Sequence, residues 1–287
     1  MTVAEALALG RARLAAAGIE GAARDARWLL AGAMATEPGR IGTMGPDPVP
    51  DEAAGRYAAM LERRAGREPV ARILGERLFW GRRFRVTPDV LDPRPETECL
   101  IAVALEHPAR RLLDLGTGSG IIAITLLAEW PEAAGVATDI SAAALAVARD
   151  NAERHGVADR LVLRQADWCA GLEGPFDLIL SNPPYLSAAE MASIAPELHH
   201  DPAMALSPGG DGLGAYRAIA GAAPALLAPG GHLCVEIGAG QGEAVSGVLR
   251  ASGLDEVRVS PDLDGRDRVA SARRRARPIR GTTDRTH

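Results

Sequence analysis

The sequence predicts a two-part α/β protein: a mainly parallel sheet with helices on both faces, preceded by a small helical domain and joined to it by a β-hairpin. Three observations predict this. From Arg111 onward, short apolar runs alternate with helical patterns. A glycine-rich turn, Gly116-Thr117-Gly118-Ser119-Gly120, stands where the first of those runs gives way to a helix. Residues 3–74 instead repeat Ala and Leu at three- and four-residue spacing, the helical period.

In order, helices are expected over residues 3–17, 22–34 and 52–64, within a unit of about four or five, with Gly18, Gly32 and segment 42–50 as stops and turns. Nothing in this unit looks catalytic, and a docking module is its plain reading. Leu78-Phe79-Trp80 and Phe84-Arg85-Val86 flank Gly81-Arg82 as a β-hairpin. The stiff segment from Pro93 to Glu98 leads into a helix over residues 99–106. Glu96 or Thr97 either begins that helix or, with Arg94, Glu96 lines the mouth of a site. Strands are then expected at 111–115, 135–138, 161–164, 178–181 and 232–237, with helices at 119–129, 142–155, 216–227 and 242–251. Segments 256–259 and 269–272 close the sheet, after a long insertion that follows the fourth strand. The domain boundaries are placed at 1–75 (helical, substrate docking), 76–98 (hairpin linker), 99–273 (catalytic) and 274–287 (a disordered basic tail). There are no internal repeats.

Composition narrows the chemistry. The chain has 287 residues, 47% of them hydrophobic, enough for two domains with a core. No window approaches the roughly 18 apolar residues of a membrane span, and the N-terminus has no basic region followed by an apolar one. Secretion is therefore not expected, and the cytoplasm is. Cys99, Cys169 and Cys234 are odd in number and far apart, which fits free thiols in a reducing compartment better than disulfides or a zinc site. All 32 basic residues are arginine. Without lysine the chain cannot carry a Walker-type phosphate loop, a Schiff-base mechanism or a lysine base. A net charge of −5 argues against broad nucleic-acid coating.

The glycine loop lets backbone approach a ligand, and Asp139, about 20 residues on, stands where an acidic group accepts ribose hydroxyls. A dinucleotide fingerprint would require glycine at position 121, which is Ile121. With Asp114 before it, the loop is instead similar to motif I of class I S-adenosylmethionine methyltransferases. Asp167 and Trp168 follow the third strand, where that family contacts adenine; Trp168 as a core filler is the alternative.

The apolar run from Phe176 to Ser181 stops at Asn182-Pro183-Pro184-Tyr185, whose two prolines hold the backbone nearly rigid. Methyl transfer from a sulfonium is a direct displacement that needs alignment and no metal. An amide nitrogen is a poor nucleophile because its lone pair is delocalised, so acceptors for both of its N–H bonds orient that lone pair. The side-chain oxygen of Asn182 and the carbonyl of Pro183 are such acceptors, and Tyr185 can lie against the planar group. An ordinary Asn-Pro turn is the plain alternative.

Asn-Pro-Pro-Tyr after the fourth strand marks methyltransferases acting on planar amino groups, and the chain resembles the release-factor glutamine methyltransferases of the HemK/PrmC family. Supporting segments are Arg67-Glu68-Pro69-Val70, Phe79-Trp80-Gly81, Pro93-Arg94-Pro95-Glu96-Thr97-Glu98, Asp114 to Gly120, Gly210-Asp211-Gly212-Leu213, Glu236-Ile237-Gly238 and Gln241-Gly242. The resemblance implies a Rossmann-like class I methyltransferase sheet with a helical N-terminal domain. It implies methylation of the glutamine amide in the Gly-Gly-Gln motif of peptide chain release factors, with S-adenosylmethionine as donor and S-adenosylhomocysteine as product. Gly116, Thr117, Gly118, Ser119, Gly120, Asp139, Asp167, Trp168 and Asn182 would contact the cofactor. Asn182, Pro183, Pro184 and Tyr185 would hold the glutamine, with Asn182, Pro183 and Tyr185 acting in catalysis. Asp92 and the run His199-His200-Asp201 depart from the family pattern and bear on contacts to the protein substrate; the two histidines read as surface residues. A monomer without membrane or nucleic-acid partners is expected. The alternatives are an adenine amino-group methyltransferase acting on DNA or RNA, and a non-catalytic docking protein that retains the fold.

Overall fold

The computed structural model describes residues 1–276, which form two units: Met1–Asp92 with Ser193–Ala203, and Pro93–Ala192 with the chain from Met204 onward. The first contains α1 (Val3–Ala16), α2 (Ala22–Ala33), α3 (Pro38–Ile41), α4 (Asp51–Ala65), α5 (Val70–Leu74) and the antiparallel hairpin β1 (Glu76–Phe79) and β2 (Arg82–Arg85). The start of α1 is fixed by a reciprocal cap: the Thr2 hydroxyl accepts from the Glu5 amide, and the Glu5 carboxylate accepts from the Thr2 amide. Leu14, Leu29, Leu30, Ile41, Tyr57 and Leu61 form the core of this unit. Tyr57 is so enclosed that burial pushes its phenol up to about 12, and a Cβ on Gly10 would collide with its hydroxyl.

Ion pairs tie the excursion 193–203 into the same unit. Asp201 accepts from Arg72 at 2.7 Å and from the Asp92 amide at 3.1 Å. Asp92 in turn accepts from Arg77 at 2.9 Å. Glu197 pairs with Arg64 and Arg67, each at 3.3 Å, and Arg64 also reaches Asp25 at 2.9 Å. Asp92 and Asp201, the two acidic departures from the family pattern, are therefore buried counter-ions of arginines within this unit. His199 and His200 are exposed. The hairpin, expected as part of a linker, groups with this unit, which runs to Asp92.

The second unit holds α6 (Thr97–Leu105), β3 (Arg111–Leu115), α7 (Ile121–Glu129), β4 (Ala134–Asp139), α8 (Ala142–Arg154), β5 (Leu161–Gln165) and β6 (Phe176–Ser181). After the short helices α9 (Ala188–Met191) and α10 (Ala203–Leu206) come α11 (Gly214–Leu226), β7 (Leu227–Glu236), α12 (Gly242–Ala251), β8 (Asp255–Pro261) and β9 (Asp267–Arg273). The strands form one sheet in the order β5-β4-β3-β6-β7-β9-β8. β3 to β7 run parallel, and β9 and β8 close the edge antiparallel. Leu113, Leu115, Phe176, Ile179, Leu233 and Val235 are buried between the sheet and its helices, as the near-continuous apolar runs of parallel strands require.

Several boundaries differ from expectation, most by a residue or two, and three of the differences have a clear physical reason. α7 starts at Ile121 because Gly120, at φ +81°, cannot be helical and caps it instead. β7, expected from residue 232, starts at Leu227 because Pro229-Gly230-Gly231 is absorbed as a bulge: Leu227 pairs with Phe176, and His232 pairs with Leu178. Arg274, at the head of the tail expected to fray, exchanges backbone hydrogen bonds with Gly230 and Gly231, and Arg275 pairs with Asp255. The tail from residue 277 lies outside the described residues. No helix among the described residues is long and apolar enough to cross a membrane.

Candidate active site

The chain lays β4 and β5 on one side of β3, then returns to place β6 on the other. This reversal opens a crevice at the carboxyl ends of β3 and β6, where α/β sheets bind ligands. The parallel register sets Leu115 beside Ser181, so the glycine loop and the Asn182 loop leave the sheet at the same level. The Ser181 hydroxyl donates to the Leu115 carbonyl at 2.7 Å, fastening one loop root to the other.

Gly116, Gly118 and Gly120 all have positive φ, +68°, +54° and +81°, a conformation that β-carbons disfavour. A Cβ on Gly120 would lie 2.7 Å from Ile124 and 3.2 Å from Ala148, where α7 and α8 approach closely. Thr117 binds back twice: its amide donates to the Thr138 carbonyl at 2.8 Å and its hydroxyl to Asp114 at 2.6 Å. The Ser119 carbonyl accepts from Asn151 at 2.9 Å. Asp139 accepts from the Gly118 amide and the Ser141 amide, each at 2.9 Å, linking the end of β4 to the loop. Asp114 lies beneath the loop and is fully buried. Its Oδ1 has no hydrogen-bond partner among the described residues. Burial pushes this carboxyl up to about 6, against the bonds from Thr117 and Ala123.

Asp167 is exposed after β5, while Trp168 is half-buried with a left-handed backbone at φ +48°. Its ring lies against Gly116, where a Cβ would be 3.4 Å away, and its carbonyl accepts from Thr138 at 3.2 Å. It packs on the core and borders the loop at once.

The Asn182 loop is held by residues that sequence reasoning left without a role. The Asn182 side-chain amide donates to the Thr97 hydroxyl at 3.2 Å, and Thr97 donates to the Glu236 carboxylate. Glu236 ends β7, the strand next to β6, and its Oε2 has no partner among the described residues. Burial pushes Glu236 up to about 7. Gln241 closes the other end: its amide nitrogen donates to the Tyr185 carbonyl at 2.9 Å, and its oxygen accepts from the Gly238 amide at 3.1 Å. Pro183 is buried and Pro184 half-buried. The Tyr185 phenol is raised by burial and by the nearby Glu236 charge, with Arg268 and Arg94 opposing. Arg94 and Glu96 are near enough to act on the Tyr185 phenol in opposite senses, Arg94 lowering it and Glu96 raising it. The only sequence signal for Thr97, Glu236 and Gln241 was their place in family segments.

Two protein families match the chain: the methyltransferase small domain over residues 91–222 and the PrmC N-terminal domain over residues 5–75. A release factor glutamine methyltransferase of Cereibacter sphaeroides is 63% identical over 274 residues, covering 95% of this chain and 99% of that protein. The chain belongs to the release factor glutamine methyltransferase family. A release factor glutamine methyltransferase of Rhodospirillum rubrum is 45% identical, covering 94% of this chain and 86% of its own. In solved structures, a methyltransferase of Pyrococcus furiosus superposes with a TM-score of 0.53 at 19% identity, covering 78% of this chain and all of that one; this likeness shows the fold. The crevice of this methyltransferase fits a sulfonium nucleoside. The glycine loop leaves room for close backbone approach at Gly118, and the Asp139 carboxylate stands at the end of β4 beside that loop.

Proposed function

We propose that this methyltransferase transfers a methyl group from S-adenosylmethionine to the side-chain amide nitrogen of the glutamine in the Gly-Gly-Gln motif of peptide chain release factors. When bound, the cofactor supplies an electrophilic methyl carbon on a sulfonium. Gly116 to Gly120, Asp139, Asp167, Trp168 and Asn182 would hold it, Asp139 offering an acceptor for ribose hydroxyls and Trp168 an aromatic surface for adenine. The Asn182 oxygen and the Pro183 carbonyl accept the two N–H bonds of the glutamine amide, and Tyr185 lies against its plane. With both hydrogens engaged, the nitrogen lone pair is turned toward the crevice, which is the alignment a direct displacement requires.

The observation that carries this reading is the orientation of Asn182. Its NH2 is engaged by Thr97, so its oxygen is the end left to accept from a substrate. The protein substrate is a release factor; a monomeric enzyme acting in the cytoplasm without nucleic-acid contact completes the proposal. Labelled methyl from S-adenosylmethionine is expected in a release factor carrying Gly-Gly-Gln and absent when that glutamine is alanine. Label that persists in the alanine factor, or enters DNA or RNA instead, overturns the reading.

A further inference from the structure

We infer that Thr97 is a positioning residue for methyl transfer: held between Glu236 and Asn182, its hydroxyl dictates which end of the Asn182 amide faces the substrate. The inference rests on the proposed role of Asn182 and goes beyond it.

An asparagine side chain has two ends of nearly equal shape and opposite hydrogen-bonding sense. Turned one way it presents an acceptor to a substrate N–H; turned the other way it presents two donors and repels that N–H. Nothing in the Asn-Pro-Pro-Tyr loop itself decides between them. A hydroxyl beside the amide does not decide either, since it can donate or accept. The ambiguity ends when the hydroxyl proton is committed elsewhere. Glu236 commits it: Thr97 Oγ1 accepts from the Asn182 NH2 at 3.2 Å, and its own hydroxyl proton is turned to the Glu236 carboxylate as a hydrogen-bond donor, so Asn182 must offer its NH2 to Thr97.

The fold builds this relay from three separate elements. The register that pairs Ser181 with Val235 brings Asn182 and Glu236 to neighbouring positions one residue further along β6 and β7. The first turn of α6 delivers Thr97, whose amide donates to the Arg94 carbonyl at 3.1 Å. Thr97 and Glu236 are 2% and 1% exposed, so water does not compete for their hydrogen bonds. Helix capping does not account for the hydroxyl: the residue before α6 is Glu96, and no side chain caps that helix. Burial is the larger influence on Glu236 and raises its carboxyl, while the bond from Thr97 opposes that rise.

The test compares Thr97→Val, Thr97→Ser, Glu236→Gln and Asn182→Ala in the full chain. It uses steady-state methyl transfer to a purified release factor, cofactor affinity by calorimetry, and thermal unfolding. Valine keeps the shape of threonine and loses the hydroxyl; serine does the reverse. The relay predicts that Thr97→Val lowers kcat by roughly 10- to 100-fold with the KM for the release factor changed less than about threefold, while Thr97→Ser keeps at least about a third of wild-type kcat. Glu236→Gln, whose amide can donate to Thr97, is expected to lose about tenfold in kcat. This second route does not depend on how well the valine variant folds. A packing role predicts the opposite order, with valine active and serine impaired. That order, or Thr97→Val within about twofold of wild type beside an inactive Asn182→Ala, overturns the inference alone. Full activity of Asn182→Ala overturns the amide-holder reading and the relay with it.

Discussion

The glycine loop after β3 and the Asn-Pro-Pro-Tyr loop after β6 lie on adjacent strands and are made rigid by opposite means. In the first, backbone conformation is the device. Gly116, Gly118 and Gly120 adopt positive φ, and Thr117 and Asp139 fasten the loop within about 20 residues of chain. In the second, prolines restrict the backbone, and the working side chain is oriented from a distance: Thr97 is 85 positions from Asn182, and Gln241 is 56 from Tyr185. The comparison teaches that a site for a common cofactor can be local in sequence, whereas a site that must present one amide in one orientation borrows its order from the rest of the domain.

The sharpest way to break the comparison is Asn182→Ala. It removes the acceptor while leaving both loops in place, and kcat for release-factor methylation is expected to fall by roughly 10³-fold or more with the thermal unfolding profile preserved. A loss within about tenfold would place the amide holder elsewhere. On the other loop, Gly120→Ala meets both an unfavourable φ and the close approach to Ile124 and Ala148. It is expected to cost about 2–4 kcal/mol of stability in chemical denaturation and to weaken cofactor binding in calorimetry.

A smaller effect is expected beneath the glycine loop. Burial raises the folded Asp114 carboxyl above its ordinary value of 3.8, to about 6. The native state therefore prefers the proton. That preference stabilises the protein fully below about 3.8 and is lost as pH rises through about 6, above which the buried charge costs its full amount. Asp114→Asn carries no such charge, so its unfolding free energy should exceed that of wild type by about 1–3 kcal/mol at pH 8, with the gain shrinking as pH falls through 6. A gain that grows on acidification would reverse the assignment. The mildest change is expected from Gln241→Ala, which frees the Tyr185 carbonyl: about tenfold in kcat/KM for the release factor, with cofactor affinity held.

The alternation of strands and helices, the glycine loop, Asp139 and the Asn182 loop were legible in the sequence because each is written in a short window. α8 and α12 end just before Gly156 and Gly253, both at positive φ, as glycine stops announce in sequence. What was not legible depends on three-dimensional neighbours. The strand expected at 232–237 begins at Leu227, because pairing across an irregularity is visible only against the partner strand. Thr97 read as a helix start because its hydrogen bonds go to residues far along the chain. Asp92 and Asp201 read as residues bearing on substrate contacts because their arginine partners, Arg77 and Arg72, are named only by the fold.

That last pair has a consequence for the order in which the protein is made. Arg72 is buried in the N-terminal unit with its side chain 3% exposed, and the carboxylate facing it is Asp201. A buried cation without its counter-ion is strongly unfavourable. While the chain emerges from its N-terminus, the helical unit therefore lacks part of its own interior until more than half of the methyltransferase half has followed. Asp201 and Glu197 act as late-arriving pegs, and the small domain is finished by a segment synthesised after the Asn182 loop.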